Sequence, residues 1–217
     1  MPLQLVIGSK NYSSWSLRPW LALAHHNITF NEILIPLDQP DTRARILEYS
    51  PAGKVPILID GEAKVWESVA ILDYLGDKFP ELAFWPEELI ARAHARSIAA
   101  EMHAGFANLR RHCPMNLRRR KRIALPPDVQ ADIERIDALW TDSCQRFGSD
   151  GDFLFGAFSA ADCMYAPVAT RIRSYEIPVS STAAAYVDAI HALPAFRKWY
   201  DAAISESWRH AATDAVD

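Results

Sequence analysis

The first apolar run, Leu3-Gln4-Leu5-Val6-Ile7, alternates around one polar break and predicts a strand. Leu17, Trp20, Leu21 and Ala24 then recur at helical spacing. Pro19 lacks an N–H and suits only a first helical turn, so it sets the helix start near Ser16, with Ser16 or a neighbour as N-cap. His25 and His26 follow where the negative pole of that helix would lie. Residues 29–35 are strand-like and stop at Pro36, and a short helix is expected over residues 42–49 after an Asp41 cap. Ser50-Pro51-Ala52-Gly53 breaks it. Val55-Pro56-Ile57-Leu58-Ile59 predicts a strand whose proline cannot donate to a ladder, which places it at a strand start, an edge or a cis turn. Asp60-Gly61 marks a hairpin turn, residues 63–66 the return strand, and Val69, Leu72 and Leu75 a helix that runs to Lys78-Phe79-Pro80.

Strand, helix, strand, short helix, strand, strand, helix is the order of an α/β thioredoxin-like domain, with helices layered against a mixed sheet. From about Glu81 the pattern changes, and the rest of the chain reads as helices only. One long alanine-rich helix is expected over residues 87–112, a second over 127–147 entered through Pro126-Pro127, and a third over 159–175. The third opens Ser159-Ala160-Ala161-Asp162, a capping box with Asp in place of Glu. Residues 182–191 and 194–205 complete an all-α helical bundle, while the tail after Trp208 gives little signal. The expected division is a first domain over residues 1–80, a linker over 81–90 and a helical domain over 91–217.

Composition narrows the function classes. The chain has 217 residues, half of them hydrophobic, and a net charge of −4, so no general attraction to nucleic acid or a membrane surface is expected. No basic segment followed by a long apolar run opens the chain, and no stretch approaches the roughly 18 apolar residues of a membrane helix, which points to the cytoplasm. Cys113, Cys144 and Cys163 are odd in number, far apart and form no Cys-x-x-Cys pair, so buried free thiols are expected rather than a disulfide framework or a metal knuckle. His94, His103 and His112 are spaced by nine on one expected helix, and no metal is assigned. The basic run Leu117-Arg118-Arg119-Arg120-Lys121-Arg122 has no interleaved aromatic residues and reads as a solvated helix end or loop.

Candidate chemistry gathers at helix starts. A helix N-terminus has unpaired N–H groups and partial positive charge, so Ser13 and Ser14 stand where an anion is stabilised and a hydroxyl adds a hydrogen bond. Capping alone would also account for them. Glu67-Ser68 precedes the second such helix, a carboxylate and a hydroxyl suited to an ammonium and a carboxylate of one zwitterionic ligand. The Val55-Pro56 junction, if cis, would present the Val55 backbone to a ligand peptide group, and Lys54 could pair with a second ligand carboxylate.

Together the serine-bearing helix start, Lys54-Val55-Pro56, Glu67-Ser68, Ser159-Ala160-Ala161-Asp162 and the all-helical second half resemble the glutathione transferase superfamily. Tyr12-Ser13-Ser14-Trp15-Ser16-Leu17-Arg18 is most similar to the zeta-class motif Ser-Ser-Cys-Ser-Trp-Arg. The resemblance implies glutathione as co-substrate, held by Val55 at its cysteinyl backbone and by Glu67 and Ser68 at its γ-glutamyl end, with Ser13 or Ser14 at sulfur. The motif match puts Ser13 first. It also implies a homodimer and transfer of the thiolate to a small electrophile. Two departures bear on a zeta-like maleylacetoacetate isomerase activity. Trp15 replaces the motif's cysteine, and the substrate-binding arginine of the helical domain aligns with Ser174, with Arg171 and Arg173 nearby. A glutathione-dependent isomerase and a non-catalytic scaffold of the same fold are the alternatives. A thiol-disulfide oxidoreductase is disfavoured, because serines stand where its reactive cysteine would be.

Overall fold

The computed structural model describes residues 2–216. Its first half contains β1 (Leu3–Gly8), α1 (Ser14–His25), β2 (Phe30–Ile35), α2 (Thr42–Leu47), β3 (Ile57–Asp60), β4 (Ala63–Trp66) and α3 (Ser68–Lys78). The strands form one sheet in the order β2-β1-β3-β4, with β1 parallel to β2 and antiparallel to β3, and β3 antiparallel to β4. Alternation along β1 divides the packing between the two faces. Leu5 and Ile7 join the main core beneath α1 and α3, while Val6 faces Ile35, Ile46 and Ile57 under α2.

After a short 3-10 turn (Pro80–Leu82), the second half is helical: α4 (Leu89–Ala104), α5 (Ala107–His112), α6 (Pro127–Phe147), α7 (Ala160–Ser174), α8 (Ser181–Ala192), α9 (Pro194–Ser205) and α10 (Ala211–Asp214). The main core runs without a break from Leu3 in the sheet to Trp199 and Ala203 in α9, so both halves share one apolar interior. α1 lies against α7 and α9, and Trp20 meets Trp199 edge to face at 5.2 Å. The fold is therefore a small α/β unit with a four-stranded mixed sheet joined to an all-α bundle, as the order of elements implies.

Three elements differ from the expectation. α1 begins at Ser14 rather than near Ser16, with Ser13 as its N-cap, so Pro19 falls in the second turn and leaves the Trp15 carbonyl without its usual donor four residues on. The expected long helix over 87–112 is two, because Gly105 ends α4 by donating to the Glu101 carbonyl and Phe106 turns left-handed at φ 55°. That turn buries the Phe106 ring, so packing overrides the helical pattern. The tail contains a further short helix, α10, that the sequence did not signal. The Ser159 capping box is present as expected: the Asp162 carboxylate accepts the Ser159 N–H at 2.7 Å and the Leu154 N–H at 3.2 Å. No helix of the described residues is long and apolar enough to cross a membrane.

Candidate active site

At the start of α1 the two serines have different surroundings. The Ser13 hydroxyl accepts the Ser16 N–H at 3.4 Å and donates to the Ser16 hydroxyl at 2.7 Å, and Ser16 in turn accepts the Gly8 N–H at 3.1 Å. Ser13 is thus tied into the strand-to-helix turn. Among the described residues the Ser14 hydroxyl has no hydrogen-bond partner, although only 7% of the residue is exposed. The Trp15 N–H in this first turn is likewise unpaired. Tyr12 has its hydroxyl on the Asp214 carboxylate at 3.0 Å, facing the tail.

Trp15, Lys54, Val55, Trp66, Glu67 and Ser68 line one small cleft. The Val55–Pro56 peptide bond is cis, and no hydrogen bond among the described residues uses the Val55 N–H or carbonyl. Glu67 occupies the N-cap of α3 at φ 68° and ψ 124°, a backbone region that L side chains rarely adopt and that costs on the order of 1–3 kcal/mol. Its carboxylate is half-exposed and makes no cap hydrogen bond. Ser68 is fully buried. Its hydroxyl accepts from Arg18 at 3.2 Å and donates to the Met164 sulfur at 3.7 Å, so what it has left to offer an anion is its backbone N–H. Lys54 is exposed and forms no ion pair among the described residues.

Beneath the cleft lies a group of cations. The Arg18 guanidinium is fully buried, 4.0 Å over the Trp15 ring, and its Nε has no partner. Burial first, then the charges of Arg171 and Arg110, hold its pKa well below the usual arginine value. Arg171 is also buried, with Nε on the Cys113 carbonyl at 2.8 Å and Nη1 on the Pro167 carbonyl at 3.0 Å, and burial brings it down to about 10. Arg110 stands 5.5 Å from the Trp15 ring. His103 of α4 meets Trp15 edge-on at 5.3 Å, with Nε2 3.4 Å from the Glu67 carboxylate. Burial lowers its pKa, against the pull of Glu67 and with the push of Arg18 and Arg110. The arrangement concentrates positive potential beneath two helix N-termini, which stabilises an anion there.

Sequence reading placed Arg18 in a motif without giving it a role, and it missed Arg110 and His103. An arginine between Leu17 and Pro19, on the apolar face of a helix, was the available signal for the first. The other two arrive from the helical half, and nothing local marks them. Ser174 donates to the Asn116 carbonyl at 3.1 Å, and Arg173 forms an ion pair with Asp188, so neither they nor Arg171 present a free group to the cleft. The basic run is a loop with divided duties: Arg118 bonds the Ala203, Glu206 and Trp208 carbonyls, and Arg119 stacks on Tyr175. The three cysteines are free, and among the described residues no group of His, Cys, Asp and Glu is placed to hold a metal.

Family models for the glutathione S-transferase N-terminal and C-terminal domains match residues 12–78 and 91–202. The chain belongs to the glutathione S-transferase family. Among curated members, a probable maleylacetoacetate isomerase of Caenorhabditis elegans is 35% identical over 98 residues, 45% of each chain. Glutathione S-transferase T1 of Arabidopsis thaliana is 32% identical over 142 residues, 61% of this chain and 57% of that one. The matches thus span about half the length of these curated relatives. Among solved structures, a glutathione transferase homologue from Burkholderia with bound glutathione superposes with a TM-score of 0.73 at 21% identity, covering 95% of this chain and all 100% of that one. A zeta-class maleyl pyruvate isomerase superposes equally, with a TM-score of 0.73 at 20% identity over 94% of this chain and 100% of that one. These structures share the transferase fold.

Proposed function

We propose that this glutathione S-transferase family member is a glutathione transferase, using glutathione as co-substrate and adding its thiolate to a small electrophile. The observation that carries the reading is the one cleft in which Lys54, Val55, Glu67 and Ser68 stand beside the start of α1. The unpaired Val55 N–H and carbonyl take the cysteinyl peptide group. The Glu67 carboxylate takes the γ-glutamyl ammonium, the free N–H groups at the start of α3 its carboxylate, and Lys54 the glycyl carboxylate.

A thiol near pKa ~8.5 is mostly protonated at neutral pH and reacts as its thiolate. The Ser14 hydroxyl, without an internal partner, donates to the sulfur, while Ser13 serves as the N-cap that keeps the turn. The Trp15 N–H and the buried Arg18 charge favour the anion further. The sulfur then bonds to the electrophilic carbon; in a substitution the bond to the departing group breaks and its electron pair leaves with that group, and at a conjugated double bond the π pair shifts away from the attacked carbon onto the conjugated atoms, which take up a proton. The serine is not itself attacked.

The chemistry needs reduced glutathione and free thiols, consistent with the cytoplasm. Exposed Trp66, Leu89 and Ile90 give the fold apolar surface suited to a homodimer. A glutathione-dependent isomerase is the second reading, supported by the nematode relative. It differs by turnover without net consumption of glutathione.

The test is the pKa of glutathione bound to the purified protein, followed by thiolate ultraviolet absorbance for wild type, Ser13→Ala and Ser14→Ala. A depressed pKa that Ser14→Ala alone restores supports the assignment. If Ser13→Ala alone restores it, the hydroxyl belongs to Ser13. Absence of glutathione binding would leave a scaffold that keeps the fold without the enzyme.

A further inference from the structure

Glu67 enters the cleft from a helix end that does nothing to aim its side chain. It stands at the N-cap of α3 at φ 68°, and its carboxylate makes no cap hydrogen bond. A contact from the helical half supplies what α3 does not. His103, in the last turn of α4, brings its Nε2 to 3.4 Å from that carboxylate. The imidazole is itself held in place. It meets Trp15 edge-on at 5.3 Å, and Arg110 of α5 reaches back to donate to the Met102 and His103 carbonyls at 3.4 and 3.3 Å, which fastens the end of α4.

The other ring nitrogen decides where the proton of the neutral imidazole sits. Nδ1 of His103 is buried and has no hydrogen-bond partner. A proton on Nδ1 would strand a buried donor and set the Nε2 lone pair against a carboxylate, whereas a proton on Nε2 points at Glu67. Burial, with the Arg18 and Arg110 charges, opposes a second proton on the ring, against the pull of Glu67. A neutral donor has a consequence that a cation would not. It can fix the direction of the carboxylate and still leave its full charge for an ammonium group, where a lysine or arginine in the same place would compete with that ammonium.

We propose that His103 is a positioning residue for glutathione, whose Nε2–H orients the Glu67 carboxylate toward the γ-glutamyl ammonium without neutralising it. This role rests on glutathione being the ligand of the cleft. His103 acts through Glu67, so the ammonium site is completed by a side chain from the helical half.

The experiment is calorimetric titration of the full chain with glutathione, for wild type, His103→Ala, His103→Gln and His103→Asn. His103→Ala should weaken binding about fivefold, the scale of one hydrogen bond. Glutamine carries an amide N–H at the reach of Nε2 and should restore most of that loss, while asparagine, whose amide reaches only as far as Nδ1, should not. In a Glu67→Ala background, His103→Ala should change nothing further, because no carboxylate is left to orient. Absence of glutathione binding by wild type would overturn this role together with the transferase reading. Wild-type binding that is indifferent to His103→Ala, restored no better by glutamine than by asparagine, or weakened to the same extent with and without Glu67 would overturn this role and leave the transferase reading standing.

Discussion

Ser13 and Ser14 are adjacent, yet one hydroxyl is committed and the other is free. Replacing each by alanine should therefore have separable effects. Ser13→Ala removes an N-cap acceptor and should lower unfolding free energy by about 1 kcal/mol with the larger share of activity retained. Ser14→Ala should leave stability nearly unchanged and reduce kcat/KM by about 10²-fold, the scale of one lost donor to a developing or resting anion. Denaturant unfolding and steady-state kinetics on the same preparations read the two effects. Asp162 is a second residue where surroundings decide the outcome. Its carboxylate accepts hydrogen bonds from Ser159 and Leu154 while fully buried, and burial raises its pKa to about 6. Asp162→Ala should cost about 3 kcal/mol in urea unfolding, because it leaves those buried donors without an acceptor.

At the scale of elements, the end of α1 is tuned against protons. His25 packs on Phe158 at 4.3 Å and His26 on Phe84 at 4.5 Å, and burial lowers both pKa values, His26 to about 4. His191 at the end of α8 is lowered to about 4 as well. Each unfolded histidine takes up a proton near pH 6.5 that its folded counterpart refuses, so their stabilising share is full above pH 6.5 and falls as pH drops toward about 4. Urea midpoints should decline across that window, and His26→Phe should flatten part of the slope. The break between α4 and α5 is a packing requirement of the same scale. A Cβ on Gly105 would lie 2.8 Å from the Glu101 carbonyl oxygen, so Gly105→Ala should lower the unfolding free energy by about 1–3 kcal/mol. The periodic pattern could not show that break, because alanines and apolar residues continue through it. By contrast, the strand and helix order of the first half and the Ser159 capping box were legible, since alternation, capping and proline position are local properties of the chain.

The whole molecule supplies what local reading lacked. Residues 12–18 and the later motifs resemble the glutathione transferase superfamily, and membership of that family is borne out. Arg110 of α5 and His103 of α4 reach Trp15 of α1 from the helical half, and the tail is no less remote. The Glu206 carboxylate accepts the Lys10 N–H at 2.7 Å and the Asn11 N–H at 3.1 Å, and Asp214 accepts from Tyr12 and Asn116. Glu206→Ala should loosen that loop and weaken glutathione binding several-fold, with binding measured by calorimetry and loop order by amide exchange at residues 9–13. The loop is thus held by a residue 195 positions after Asn11. At synthesis rates of roughly 5–20 residues per second, about 10–40 s separate the emergence of the loop from that of its clamp. A nascent chain therefore displays its serines well before it can hold them in place, and a transcript cut short near the end would yield a protein with every cleft residue present and the turn beneath them unfastened.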